Sequence, residues 1–94
     1  MAIRSFRDAR LPVLLERQVP KGFPADLAAI TRRKLVMLDA AAKLEDLRIP
    51  PANRLEKLTG DREGQHSIRV NDQFRLCFRW TDNGPEDVEF VDYH

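Results

Sequence analysis

The sequence predicts a small α+β domain, an antiparallel sheet of about four to five strands with two main helices packed on one face. Three observations carry this. Apolar residues recur at helical spacing only in the first half of the chain, around Leu11–Leu15 and over Leu27–Ala42. Beyond Asn53 the period becomes alternating, clearest where Phe74, Leu76, Phe78 and Trp80 interleave with Arg75, Cys77 and Arg79. The 94 residues suffice for a single core, so residues 1–94 form one domain without repeat, linker or low-complexity tract.

Taken in order, Ile3–Phe6 is apolar at alternate positions and fits a first strand. Leu11, Leu14 and Leu15 suggest a short helix that tolerates Pro12 in its first turn. Val19–Pro24 is a connector. Pro24-Ala25-Asp26 then opens the longest helix, with proline and an acid near its N-terminus. Its inward stripe is read as Leu27, Ile30, Leu35, Leu38 and Ala42, with Arg32, Arg33 and Lys34 on the other side. A helical turn at Leu44–Leu47 ends before Pro50-Pro51, and Thr59–Gly64 is a charged turn. Gln65–Val70 and Gln73–Trp80 pair around Asn71-Asp72, and a break at Gly84-Pro85 precedes a last strand at Asp87–Val91.

The net charge of +1 conceals an uneven distribution. Residues 1–80 hold all 16 Lys and Arg, while residues 81–94 hold Asp82, Glu86, Asp87, Glu89 and Asp92 and no basic residue. A basic body beside an acidic last strand can present a local basic surface. Cys77 is the only cysteine and there are two histidines, so neither an internal disulfide nor a metal cluster is supported; no metal or other cofactor is expected. No apolar run is long enough for a signal peptide or a membrane span, so a cytoplasmic location is expected.

Arg69, Arg75 and Arg79 fall opposite the apolar set of their strands and are expected on the open sheet face. Guanidinium binds phosphate through two prongs and can offset charge building at a reacting phosphate. A merely solvated strand face would show the same pattern. The terminal Asp92-Tyr93-His94 brings proton-transfer groups together, although chain ends commonly fray. Metal-free RNA cleavage needs a base for the 2′-OH, charge stabilisation at phosphorus and an acid for the 5′-oxygen. Lys57 and Arg62 are further candidates for phosphate contact. His66 shares the face of Ile68 and reads as a core or edge histidine, and Cys77 as a small filler or a reactive thiol.

The run Asn53-Arg54-Leu55-Glu56-Lys57-Leu58-Thr59-Gly60-Asp61-Arg62, then Gly64–Gln73, Phe74–Phe78 and the ending Val91-Asp92-Tyr93-His94, closely resembles HigB-type toxins of the RelE superfamily. Ile3–Phe6 and Lys34–Asp39 match as well, so the resemblance covers nearly the whole chain. It implies a RelE-like fold and a toxin of a type II toxin–antitoxin module. It further implies an endoribonuclease that cuts mRNA in the A site of the 70S ribosome. A HigA-type helix-turn-helix antitoxin would neutralise it and carry the pair to operator DNA. Position by position, Arg75 would stabilise the scissile phosphate, and Asp92, Tyr93 and His94 would complete the active site. Gln73 would contact substrate, and the residue reading adds Lys57, Arg62, Arg69 and Arg79 as RNA contacts.

Two positions depart from the pattern. Some relatives carry His where Glu56 stands and Lys where Thr59 stands. Glu56 can still act as a general base, but Thr59 supplies no positive charge. That charge must come from Arg75, Lys57 or Arg62, or be lost, leaving a weakened toxin that acts mainly by binding its antitoxin.

Overall fold

The computed structural model describes residues 3–93. Helix α1 spans Arg10–Leu15, and a 3₁₀ turn at Ala25–Leu27 leads into α2, Ala28–Ala40. Four strands follow: β1 (Glu56–Lys57), β2 (His66–Arg69), β3 (Phe74–Thr81) and β4 (Gly84–Asp92). They pair antiparallel in sequence order, each with the next. Short 3₁₀ turns at Leu44–Arg48 and Pro51–Asn53 connect the helical half to β1. Among the described residues no helix is long and apolar enough to cross a membrane.

The core fills the space between the helices and one sheet face. Leu11 and Leu14 of α1 and Leu35 and Leu38 of α2 are buried in one cluster with Ile68, Leu76, Phe78, Val88 and Phe90. The inward face of α2 is Thr31, Lys34, Leu35 and Leu38, the i, i+3, i+4, i+7 positions of one stripe. Lys34 therefore sits inside rather than on the solvated side that its charge suggests. Its ammonium donates to Asn53 Oδ1 at 2.6 Å. Ala42 lies past the helix end and is exposed; Ala41 is buried in its place. The helix stops there because Asp46 Oδ2 accepts the N–H groups of Ala42 (2.9 Å) and Lys43 (3.1 Å), drawing the chain away from helical geometry.

Two boundaries differ from the sequence reading. Gly84-Pro85 does not separate strands: both residues pair across to Thr81 and Trp80, and the turn is Asp82-Asn83. Proline is tolerated because β4 is the last strand of the sheet: its missing N–H falls on the outer side, where its carbonyl accepts from Arg4 N–H at 2.7 Å, and no bond to β3 is lost. Ile3–Phe6 forms no full strand. It makes a single parallel bridge, Phe6 with Val88, supported by Val88 N–H to the Ser5 carbonyl at 3.2 Å and Arg7 N–H to the Val88 carbonyl at 2.9 Å. The cause lies in β4. Between Cys77–Glu89 and Arg79–Glu86 that strand carries one extra residue, and Asp87 adopts φ 55°. The bulge twists the edge, so only a short stretch of the N-terminal segment can follow it.

His66 stacks on Phe78 with ring centroids 6.4 Å apart, and its Nδ1 is buried without a hydrogen-bond partner among the described residues. Burial lowers its pKa, and Lys57 lowers it further. The folded chain thus disfavours the imidazolium. That stability is complete above the unfolded value near 6.5 and is lost as pH falls through the lower folded value. The thermal midpoint should fall between about pH 7.5 and about pH 5.5. A His66→Phe variant, followed by circular dichroism over the same range, should lose a smaller part of its midpoint.

Candidate active site

On the face away from the helices, β-register brings Glu56, Ser67, Cys77 and Glu89 into one row and Arg69, Arg75 and Val91 into the next. This face is not open. The β1–β2 connection folds over it, with Arg62 Nη1 reaching Glu89 at 3.1 Å and Gln65 at 3.2 Å. Ser67 and Cys77 are fully buried beneath it. Burial pushes the Cys77 thiol above the usual cysteine value, which fits a filler rather than a reactive thiol.

Arg75 is 7% exposed, contrary to the displayed arginine that alternation suggests. A buried guanidinium is costly unless its donors are satisfied. Here Nε donates to Ser67 Oγ at 2.7 Å, and Nη2 to the carbonyls of Arg54 and Ser67. Nη1 faces Glu56 Oε1 at 3.4 Å, and the Tyr93 ring lies beside the group, 5.7 Å from centroid to Cζ. Four positions along the chain thereby fix one charge. Nη1, opposed only by a half-exposed carboxylate, is the edge that an incoming anion can compete for.

Around it is a cleft of about 280 Å³ lined by Arg54, Glu56, Arg69, Asn71, Asp72, Arg75 and Tyr93. Three guanidinium groups and two carboxylates leave it with net positive charge. Tyr93 reaches it because strand alternation carries the Val91 face onward, and because its N–H bonds the Gln73 carbonyl at 2.7 Å. The chain end is thus tied down as far as Tyr93, which is 41% exposed. Arg69 is ion-paired with Asp72.

The structure gathers Glu56, Arg69, Arg75 and Tyr93 from the sequence-derived set and leaves the rest apart. Asp92 points off the cleft in register with Phe74, where its Oδ2 accepts from Gln73 Nε2 at 3.1 Å. Lys57 pairs with His66 and borders a separate pocket with Arg48 and Leu44, since adjacent strand residues face opposite ways. Arg62 is held by Glu89, and Arg79 Nη1 lies 3.5 Å from the Gly64 carbonyl, outside the cleft lining. His94 lies outside the described residues.

Arg54, Ser67 and Asn71 were missed by sequence reasoning. Arg54 adopts φ 44°, an uncommon left-handed backbone for arginine that the sequence does not advertise. Ser67 is legible only through register, as the neighbour of Arg75 one strand away. Asn71 was read only as part of the turn, where its Oδ1 accepts the N–H groups of Gln73 (2.9 Å) and Phe74 (2.7 Å). A larger groove, about 560 Å³ between α1 and α2, has Leu14, Val19 and Val36 in its lining and contains neither carboxylate nor histidine. It offers no acid–base chemistry.

Residues 4–94 match the family described as RelE-like toxin of type II toxin–antitoxin system HigB. The chain is 52% identical over 59 residues to Toxin HigB-1 of Vibrio cholerae, a match that covers 63% of this chain and 62% of that protein, under two thirds of its length. It is 32% identical over 92 residues to Endoribonuclease HigB of Proteus vulgaris, covering 98% of this chain and 99% of that one. In fold it is similar to a chain of the YoeB-YefM complex from Staphylococcus aureus, with TM-score 0.60 and 18% identity over 98% of this chain and 94% of that one. That likeness supports the α+β RelE-like architecture.

Ser67→Ala removes the acceptor of Arg75 Nε and leaves a buried charged donor unpaired. The expected cost is about 1–3 kcal/mol in urea unfolding, with an unchanged denaturant slope.

Proposed function

The chain belongs to the HigB-like toxins, RelE-like toxins of type II toxin–antitoxin systems, and on that premise we propose that it is an endoribonuclease acting on mRNA in the ribosomal A site. The observation that carries the reading is the preorganised Arg75 guanidinium, with the Glu56 carboxylate and the Tyr93 ring both beside it. In the proposed reaction Glu56 accepts the proton of the 2′-OH, and the 2′-oxygen attacks phosphorus. Arg75 stabilises the negative charge that accumulates there. The bond to the 5′-oxygen breaks, and that oxygen receives a proton from the Tyr93–His94 end of the chain. The products are a 2′,3′-cyclic phosphate and a 5′-hydroxyl. Only protein groups take part.

Support also comes from the name of the Proteus vulgaris relative and from its near-complete coverage. Restriction to the ribosome fits a small cleft of about 280 Å³ with little apolar lining, which gives free RNA few stacking surfaces. The A site would then supply the orientation that the protein lacks. The proposed partner is a HigA-type helix-turn-helix antitoxin, which also brings the toxin to operator DNA. The setting is the cytoplasm, where ribosomes work. A second reading, a weakened toxin acting by antitoxin binding, is favoured by Thr59 and by the displacement of Asp92 from the cleft.

Primer extension on mRNA in programmed ribosomes tests the proposal. Wild-type protein should cut within the A-site codon, and Arg75→Ala should lose roughly a hundredfold or more in rate. Free mRNA should stay essentially intact. Cutting of free mRNA would remove the ribosome from the mechanism, and no cut from a folded sample would favour the weakened toxin. Association with ribosomes should weaken as salt rises, because each phosphate contact releases counterions; a salt-independent affinity would contradict it.

A further inference from the structure

We infer that Arg54 supplies the phosphate-binding charge that Thr59 cannot, making it a catalytic residue of this particular chain; the inference rests on the nuclease reading above. The other candidates for that charge are occupied or misplaced. Lys57 faces the opposite side of the sheet beside His66. Arg62 is committed to Glu89 and Gln65. Arg75 is tethered through Ser67, the Arg54 carbonyl and Glu56, and Arg69 is paired with Asp72.

Arg54 differs from all of them. It lines the cleft, and its guanidinium makes no hydrogen bond or ion pair among the described residues. Without it, Arg69 and Arg75 would exactly balance Glu56 and Asp72, leaving no net attraction for an anion. With it, the cleft is positive and contains one guanidinium whose donors are all available to a phosphate.

The backbone points the same way. Arg54 holds φ 44°, where glycine or asparagine would sit with less strain. The turn is nonetheless firmly set. Asn53 is fully buried, accepts from Lys34 Nζ at 2.6 Å and donates through Nδ2 to the Leu47 carbonyl at 3.1 Å. From this anchored turn the Arg54 carbonyl holds Arg75, and Arg54, an exposed residue, lines the same cleft. One residue thus positions the central charge through its backbone and adds a second charge through its side chain.

Arg54→Asn separates the two roles, because asparagine accepts the left-handed backbone and keeps the carbonyl. The variant should unfold at the wild-type temperature or above, yet cut A-site mRNA about 10–100-fold more slowly, the loss expected for a charge-assisted contact. Arg54→Lys should recover part of the rate. In parallel, binding of a trinucleotide with a 2′-deoxy scissile position, followed by NMR titration, should be weaker in Arg54→Asn and less steep in its salt dependence. Wild-type affinity for this uncleavable probe in Arg54→Asn would overturn the assignment, whether or not the protein cuts RNA. Wild-type cleavage by Arg54→Asn beside an inactive Arg75→Ala would overturn it while leaving the nuclease reading intact. If the wild type binds the probe but does not cut, and Arg54→Asn binds it more weakly, the phosphate site stands and the nuclease reading falls.

Discussion

A guanidinium that is almost entirely buried has to be satisfied on every side, and that requirement at Arg75 determines much of the surrounding structure. Its Nε needs an acceptor on the adjacent strand, which Ser67 provides through exact register. Its Nη2 needs acceptors, and the left-handed turn at Arg54 presents one carbonyl. Its remaining edge meets Glu56 from the first strand. A slip of one residue in the β2–β3 pairing would replace Ser67 by an apolar or titratable neighbour and leave the charge stranded. The cleft and the strand register therefore specify each other.

The two sides of the sheet divide the energetic tasks. Toward the helices, Leu35, Leu38, Ile68, Leu76 and Phe78 make an apolar core that two titratable groups border, Lys34 beside Asn53 and His66 stacked on Phe78. Burial lowers the Lys34 pKa, with Arg33 and Arg69 adding to the effect. Away from the helices, the sheet carries a buried charge, a left-handed arginine and a carboxylate held beside a guanidinium. None of these improves packing, and polar groups of this kind are retained where function needs preorganised charge. Acidic β4 belongs to the same arrangement: Glu89 restrains Arg62 over the covered face, while its end brings Tyr93 to the cleft.

Much of the fold was legible in the sequence because it follows from periodicity. The change from helical to alternating spacing after Asn53 located both layers, and β3 is nearly the predicted segment. The errors came from tertiary context. Lys34 read as solvated because charge normally is, yet it occupies the inward stripe and finds Asn53 nineteen residues away. Gly84-Pro85 read as a break because proline usually ends strands, but an edge position removes the penalty. At the site, Arg75 and Tyr93 were visible by residue type and alternation. Its burial was not, because covering requires the β1–β2 connection to fold back, and nothing local encodes that. Lys57 lies outside the cleft while its neighbour Glu56 lines it, a difference of one step in a pleated strand.

In the proposed reaction, that one-step alternation makes placement a stricter demand than residue type. At the Glu56 position, either a carboxylate or an imidazole can accept a proton and remain within reach of Arg75, provided the residue stays on the Ser67 row. A positive charge is less bound to one position, because Coulomb attraction falls off gradually with distance and a long side chain can enter a cleft from several points on its rim. The chain can therefore lack a lysine at Thr59 and still hold a net positive cleft, since Arg54 enters from the opposite end of the same β1 segment. Proton transfer requires contact within hydrogen-bond reach, whereas charge stabilisation requires proximity and the absence of a competing partner. Under the proposed reaction, the strict geometric demands consequently fall on Arg75, Glu56 and Tyr93, and the looser ones on the surrounding arginines.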